Sequence, residues 1–213
     1  MTSTPLAVRQ AERFPVAVAR AEQKMALQLQ DGGHLALLRA STKASNAVQR
    51  VHWLQRAASA WTQPLAPVAA CRKGCNHCCR MPVTISHIEA ELITRATGRK
   101  RAVPGVSVKL QDLQDTDDLA SAKASLQTAK IGTPCPFLVD EVCSIYSARP
   151  LACRLLLSLD DDDLLCQHAD DGPASVPYVD VRKFQAVALA AQPSAELADI
   201  REFFPVAQTV EAL

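Results

Sequence analysis

The chain has 213 residues and a mass of 23.0 kDa, room for one domain with an extension or for two small ones. Hydrophobic residues at 48% and charged residues at 21% exclude global disorder, and aromatics at 4% require a core of Ala, Leu, Val and Ile, as close-packed helices allow. The formal charge of +1 conceals a split: residues 1–80 hold 11 Lys and Arg against 3 Asp and Glu, a net of +8, while residues 81–213 hold 12 against 19, a net of −7. No apolar run approaches the roughly 18 residues of a membrane span. Residues 1–20 carry Arg9, Glu12 and Arg13 where a secretory signal needs an apolar stretch. A soluble, cytoplasmic protein with no membrane partner is the expectation.

Phe14, Val18, Ala21, Met25 and Leu29 recur at helical spacing, which predicts a helix over 14–30 stopped by Asp31-Gly32-Gly33. Leu37, Ala40, Ala44, Ala47, Val51, Leu54, Ala58 and Trp61 predict a second, longer helix without internal Gly or Pro. The two together read as an antiparallel hairpin closed by Pro64 and Pro67. Further on, Ser86 and Glu89 form a capping-box pattern ahead of Ile88, Leu92, Ile93 and Ala96, a short helix that Gly98 ends. Residues 99–114 read as loop and 116–130 as helix. The runs 134–139 and 142–146 flank Asp140-Glu141 as a small β-hairpin, and Pro150 opens another helix. After a polar stretch over 160–177, Val181, Phe184, Ala188 and Ala191 share one helix face, and residues 194–204 follow. The expected fold is mainly α: an N-terminal helical hairpin over 1–65, a cysteine-cluster metal-binding region over 66–176 with short helices and a small β-hairpin, and C-terminal helices over 177–213 packing on the core.

Arg39, Lys43 and Arg50 lie on one side of the second helix, a face that could neutralise phosphates. No aromatic interleaving or nucleic-acid motif accompanies it, so the expectation is a solvated face that balances the acidic half; an acidic protein partner for the basic N-terminal helices is the alternative. The run Asp160 to Asp163 lacks the glycine and ligand spacing of a calcium loop and reads as a solvated segment. Paired catalytic carboxylates, a Ser-His-Asp order, a phosphate-cradling loop and a dinucleotide fingerprint are absent from the sequence.

Eight cysteines without a secretory signal point to metal, because a reducing compartment does not sustain structural disulfides. Cys71, Cys75, Cys78 and Cys79 form a C-x3-C-x2-C-C cluster, and Gly74 and Pro82 favour a knuckle-like loop that brings the sulfurs together. Cys135, Cys143, Cys153 and Cys166 form a second group. Thiolates select zinc, iron–sulfur clusters or cuprous copper over hard cations, and structural zinc takes four ligands, so eight thiols complete two mononuclear sites or one multinuclear site. Adjacent side chains such as Cys78 and Cys79 close one tetrahedron poorly, so they are expected to serve different metals or to ligate singly. Ligands shared between the groups would pin the two segments together. His77 sits inside the cluster, as a ligand, a hydrogen-bond donor behind one, or a surface imidazole. His87 reads as a first-turn helix residue.

Cys71-x3-Cys75-x2-Cys78-Cys79, then Cys135-Pro136-Phe137-Leu138, then Cys143-Ser144-Ile145-Tyr146-Ser147-Ala148-Arg149-Pro150-Leu151-Ala152-Cys153-Arg154, resembles the bacterial YkgJ-like cysteine-cluster family of zinc- or iron-chelating domains. The resemblance covers roughly residues 68–170. It implies that all eight cysteines bind metal, zinc or iron, and a similar cluster in the flagellin lysine methylases implies an iron–sulfur centre. Four thiolates around Zn²⁺ leave a charge of −2, so Arg72, Lys73, Arg80, Arg149 and Arg154 are expected to contact the anionic site, with Phe137, Leu138, Ile145 and Tyr146 as its apolar shield. The function that follows is metal binding for structure, storage or delivery by a protein that is more a binder than a catalyst. An iron–sulfur enzyme of redox or methylation chemistry and a metal-stabilised interaction module are the alternatives.

Overall fold

In the computed structural model, which describes residues 4–28, 33–72, 74–113, 115–126, 131–168 and 174–206, the helical periodicity of the N-terminal third becomes three helices. Helix α1 (Leu6–Gln28) starts earlier than the apolar spacing indicates and carries Pro15 inside it, which forfeits a backbone hydrogen bond. Its buried face is Gln10, Ala17 and Ala21, and Phe14 turns outward. The expected stop at residues 31–32 lies outside the described residues. The second helix breaks into α2 (Gly33–Lys43) and α3 (Ala47–Thr62). Asn46 causes the break: in extended backbone its side chain accepts the Gln49 N–H at 2.9 Å, satisfying a donor that a continuous helix would have bonded internally. Pro64 and Pro67 then lie in a 3-10 turn over Gln63–Val68.

The capping box forms as written: Ser86 Oγ accepts the Glu89 N–H at 3.1 Å and Glu89 accepts the Ser86 N–H at 3.3 Å, opening α4 (His87–Thr97), and Gly98 ends it in the left-handed region at φ 74°. Helix α5 (Thr116–Leu126) matches the expected element as far as residue 126; residues 127–130 lie outside the description. The hairpin contracts to two-residue strands, β3 (Leu138–Val139) and β4 (Val142–Cys143), whose turn places Asp140 and Glu141 at φ 47° and 58°. Pro150 precedes α6 (Leu151–Leu155), and α7 (Arg182–Ala191) buries Phe184 and Ala188.

The C-terminal segment departs from the expected all-helical ending. Residues Glu196–Asp199 form strand β5, the centre of an antiparallel sheet between β1 (Thr84–Ser86) and β2 (Val108–Lys109), before the short helix α8 (Ile200–Phe203). Thr84 faces Asp199 and Ser86 faces Leu197, while Lys109 faces Glu196. Four residues are too few to display a period of two, and their partners lie about 90 to 110 residues upstream. Segment 99–114, expected as loop, supplies β2.

Two apolar clusters result. One joins Ala21 of α1, Leu54, Ala57, Ala58 and Trp61 of α3, Leu151 and Leu155 of α6, and Phe184 and Ala188 of α7. The other joins Ile85, Ile93, Phe137, Ile145, Ala198, Ile200, Phe203 and Phe204, with Cys135, Cys143 and Cys153 packed against it. Helix α6 separates them, since Leu151 and Leu155 share one face and Cys153 projects from the other.

Candidate metal centre

The first four thiols sit on a knuckle, as Gly74 and Pro82 suggested. Ala70 N–H donates to Ser158 O at 3.1 Å and Ser158 N–H to Cys71 Sγ at 3.3 Å, so the chain enters the cluster alongside residues 156–158. Gly74 turns it at φ 92°, where a side chain would be strained. A 3-10 turn over His77–Arg80 then carries Cys78 and Cys79, closed by Cys79 N–H to Asn76 O at 2.8 Å. The second segment is tied on by its backbone: Cys135 N–H donates to Cys79 O at 2.7 Å and Gly132 N–H to Arg80 O at 2.7 Å. Cys143 follows on β4, Cys153 on α6, and Cys166 ends a 3-10 turn over Leu164–Cys166.

All eight cysteines are free thiols of intermediate exposure. Their mutual electrostatics divide them across the two sequence groups. Cys71 feels Cys75 and Cys78, Cys166 feels Cys71, Cys75 and Cys78, and the hydroxyl of Tyr178 feels the same four. Cys153 feels Cys135 and Cys143 together with Cys78, and Cys79 is hydrogen-bonded to Cys143 and Cys78. Cys78 stands at the junction, acting on Cys71, Cys75 and Cys166 while its own thiol is hydrogen-bonded to Cys79.

Burial raises the thiols of Cys71, Cys75, Cys135 and Cys153 and pushes Cys166 up to about 12. Two sulfurs go the other way. Cys79 donates its proton toward Cys143 and Cys78, which lowers Cys143 to about 6 and Cys78 to about 7 and raises Cys79 itself. Arg149 adds to this: its guanidinium, stacked 3.6 Å over the Tyr146 ring, acts on Cys71, Cys78, Cys143 and Cys153.

The other expected neighbours divide. Arg72 is exposed and adds a small lowering at Cys75. Lys73 lies outside the described residues. Arg80 turns to the hairpin, pairing with Glu141 at 2.7 Å. Arg154 braces backbone, donating to Arg149 O at 2.7 Å, Ser147 O at 2.6 Å and Ser59 Oγ at 2.8 Å. The His77 ring pairs through Nε2 with Asp163 at 2.9 Å, and His87 Nδ1 accepts the Glu196 N–H at 3.0 Å, joining α4 to β5. Phe137 and Ile145 are buried beside the thiols, but Tyr146 is about half exposed and covers Arg149 instead.

Three groups had no signal in the cysteine motifs. Arg201 donates to Thr133 O at 2.6 Å, Met81 O at 3.2 Å and Cys79 O at 3.4 Å, and is held by Asp199 at 3.1 Å. It thus clasps both cysteine segments from α8. Tyr178 faces the first set of thiols. The aspartate run is solvated only in part: Asp160 is fully buried and pairs with Arg13 at 3.1 Å and Arg20 at 3.6 Å, while Asp161, half exposed, takes Lys24 at 2.7 Å and Arg20 at 2.9 Å. Together with Gln10, which donates to Leu164 O and Gln167 O, these contacts lay α1 along the loop that carries Cys166. A signal existed in the opposite charges of the two halves, although α1 rather than the Arg39, Lys43 and Arg50 face makes these pairs. Arg50 donates to Ala191 O at 2.7 Å.

The donor chemistry suits a thiophilic metal, with eight free sulfurs and positive charge at hand in Arg149 and Arg201. The side chains are not preassembled: among the described residues no three His, Cys, Asp or Glu groups stand ready to close on one ion.

Among the described residues no helix is long and apolar enough to cross a membrane. Comparison with known families matched residues 70–170 to the CxxCxxCC model, described as "Putative zinc- or iron-chelating domain". Neither curated proteins nor solved structures yielded a match to the chain. The likeness to zinc- or iron-chelating domains thus covers residues 70–170, the stretch that holds all eight cysteines.

Proposed function

We propose that this protein holds zinc or iron through Cys71, Cys75, Cys78 and Cys166 in one set and Cys79, Cys135, Cys143 and Cys153 in a neighbouring one, for structure, storage or delivery. The observation that carries this reading is the crossing of the sequence groups. Each set takes thiols from both ends of the cysteine-rich region, so a metal in either would cross-link segments more than 50 residues apart in the chain. Such a cross-link removes freedom from the unfolded chain and makes folding depend on metal. The two depressed thiols, Cys78 and Cys143, would give up their protons to a metal more readily than the other cysteines, and Arg149 offsets the charge they develop.

The test is metal and labile-sulfide analysis of protein purified without oxygen, joined to metal-edge X-ray absorption. Zinc or iron in a sulfur-dominated shell is expected, and Cys71→Ser and Cys153→Ser should each remove part of it. Protein that takes up neither metal from buffered solutions would overturn the reading. Stoichiometric labile sulfide would direct it to an iron–sulfur centre instead.

A further inference from the structure

Arg56, Arg149 and Arg154 line a groove of about 820 Å³ between α3 and the segment that leads into α6. Arg56 of α3 is exposed, lies 4.4 Å over the Trp53 ring and, among the described residues, makes neither a hydrogen bond nor an ion pair. Arg149 commits only its Nε, to Tyr146 O at 3.1 Å, and neither of its Nη atoms is closed to solvent. Arg154 commits one N–H of each nitrogen, to Arg149 O, Ser59 Oγ and Ser147 O. A guanidinium carries five N–H donors, so hydrogen-bonding capacity is left over at all three side chains. His52 joins them, and among the described residues no Asp or Glu lines the groove.

Elsewhere in the fold positive charge is paired: Arg13, Arg20 and Lys24 take the aspartates of the Cys166 loop, and Arg201 takes Asp199. Here Arg149 and Arg154 lie close enough for their charges to repel. Glu89, the carboxyl that acts on Arg154, is buried and already accepts the Leu151 N–H at 2.6 Å, the Ser86 N–H at 3.3 Å and the Gln55 amide at 3.3 Å. Like charges gathered around a groove without a counter-ion are stabilised by an anion that enters it, and guanidinium forks match phosphate and carboxylate oxygens. Leu37, Ala60 and Ala96 add apolar wall, and the volume is that of a small-molecule site rather than of a bare ion. Thiolates on a metal would draw on Arg149, but Arg56 lies on α3, outside the cysteine-rich segments.

We propose that this groove binds a small organic polyanion, a phosphate ester or a polycarboxylate, gripped by Arg56, Arg149 and Arg154. The groove shares Arg149 with the metal centre proposed above and rests on that reading for nothing else.

The test is isothermal titration calorimetry on the full chain as purified, with metal content determined on the same samples, using fructose 1,6-bisphosphate, tricarballylate and uncharged fructose as probes. Saturable one-to-one binding of at least one of the two anions is expected, and none of fructose; the tighter anion names the class. Arg56→Glu should weaken that anion about tenfold, because the reversal replaces an attraction with a repulsion. Arg9→Glu, an equal change of charge at an exposed position of α1, should alter it by less than about twofold. Absence of saturable binding of either anion, or equal weakening by the two reversals, overturns the proposal and leaves the metal reading standing. Binding that persists in protein without zinc or iron supports the groove even where the metal reading fails. Should Arg56→Glu fail to fold, Arg56→Gln against Arg9→Gln makes the same comparison, with an expected weakening of about threefold.

Discussion

The cluster around α3 and the cluster around β5 are of similar extent but are filled differently. Around α3 the interior is mostly aliphatic, with Leu54 at 1% and Leu65 at 0% exposure, and Trp61 lies 5.1 Å from Phe184. Around β5 the large aromatics Phe203 and Phe204 are equally buried, yet the margin is formed by Cys135, Cys143 and Cys153 on short irregular elements. Irregular backbone brings few internal hydrogen bonds and little apolar area per residue, so that margin needs another source of order. The contrast teaches where a bound metal would matter: beside the sheet and the knuckle, and much less within the helices.

Metal withdrawal should break the symmetry of the two clusters most strongly. Structural zinc contributes about 10–16 kcal/mol in small finger peptides, more than many whole domains possess in net stability. A chelator should therefore abolish hydrogen-exchange protection around Cys135, Cys143 and Cys153 while α3 keeps its protection and Trp61 its buried emission. Equal loss in both clusters would show that the division does not exist.

Asp160→Ala probes what holds α1 to the loop of Cys166. It leaves Arg13 and Arg20 facing a buried site without their carboxylate, and removal of one partner from such a pair costs about 3–5 kcal/mol. Urea denaturation should show that loss, together with release of α1 from the Cys166 loop. Leu54→Ala acts on the helical cluster alone and should cost about 2–5 kcal/mol, by the same amount in metal-loaded and metal-depleted protein. A cost that changed with metal would couple the clusters more tightly than their packing indicates.

Smaller effects sharpen the picture at the helix ends and at acid pH. Asn46→Ala removes the cap of α3 and should cost about 1 kcal/mol by thermal melting, restored in part by Asp at the same position. Lys24, hydrogen-bonded to Asp161, holds that carboxyl below its ordinary 3.8, with Arg20 and Arg13 adding to it. The folded pKa lies below the unfolded one, so this contribution is complete above about pH 4 and disappears as the pH falls through the folded value. Stability of Asp161→Asn should accordingly converge on that of the parent chain at the acid end, read from melts across pH 2–6.

Local signals were legible in the sequence wherever the physics is local. Ser86, Glu89 and Gly98 delimit α4 because capping and a left-handed stop act within a few residues. Asp140-Glu141 marks the hairpin turn for the same reason, although the flanking strands shorten to two residues each. Asn46 carried a cap signal too, but an unbroken run of small apolar residues across it read as one helix. The acidic run was misread because its partners, Arg13, Arg20 and Lys24, lie well over 100 residues away and no local pattern ties them to it.

What the sequence by itself determined is the chemistry: eight thiols, their clustering and order, a mainly α fold, and a basic half beside an acidic one. Only the tertiary structure brings Cys166 beside Cys71 and ties Cys135 to Cys79 by a backbone hydrogen bond, because such contacts follow space rather than spacing. It also decided that residues 196–199 are a strand and that Arg201 clasps both cysteine segments. Sheet pairing and buried charge are set by partners distant in the chain, and a partner is visible only once the chain has folded onto it.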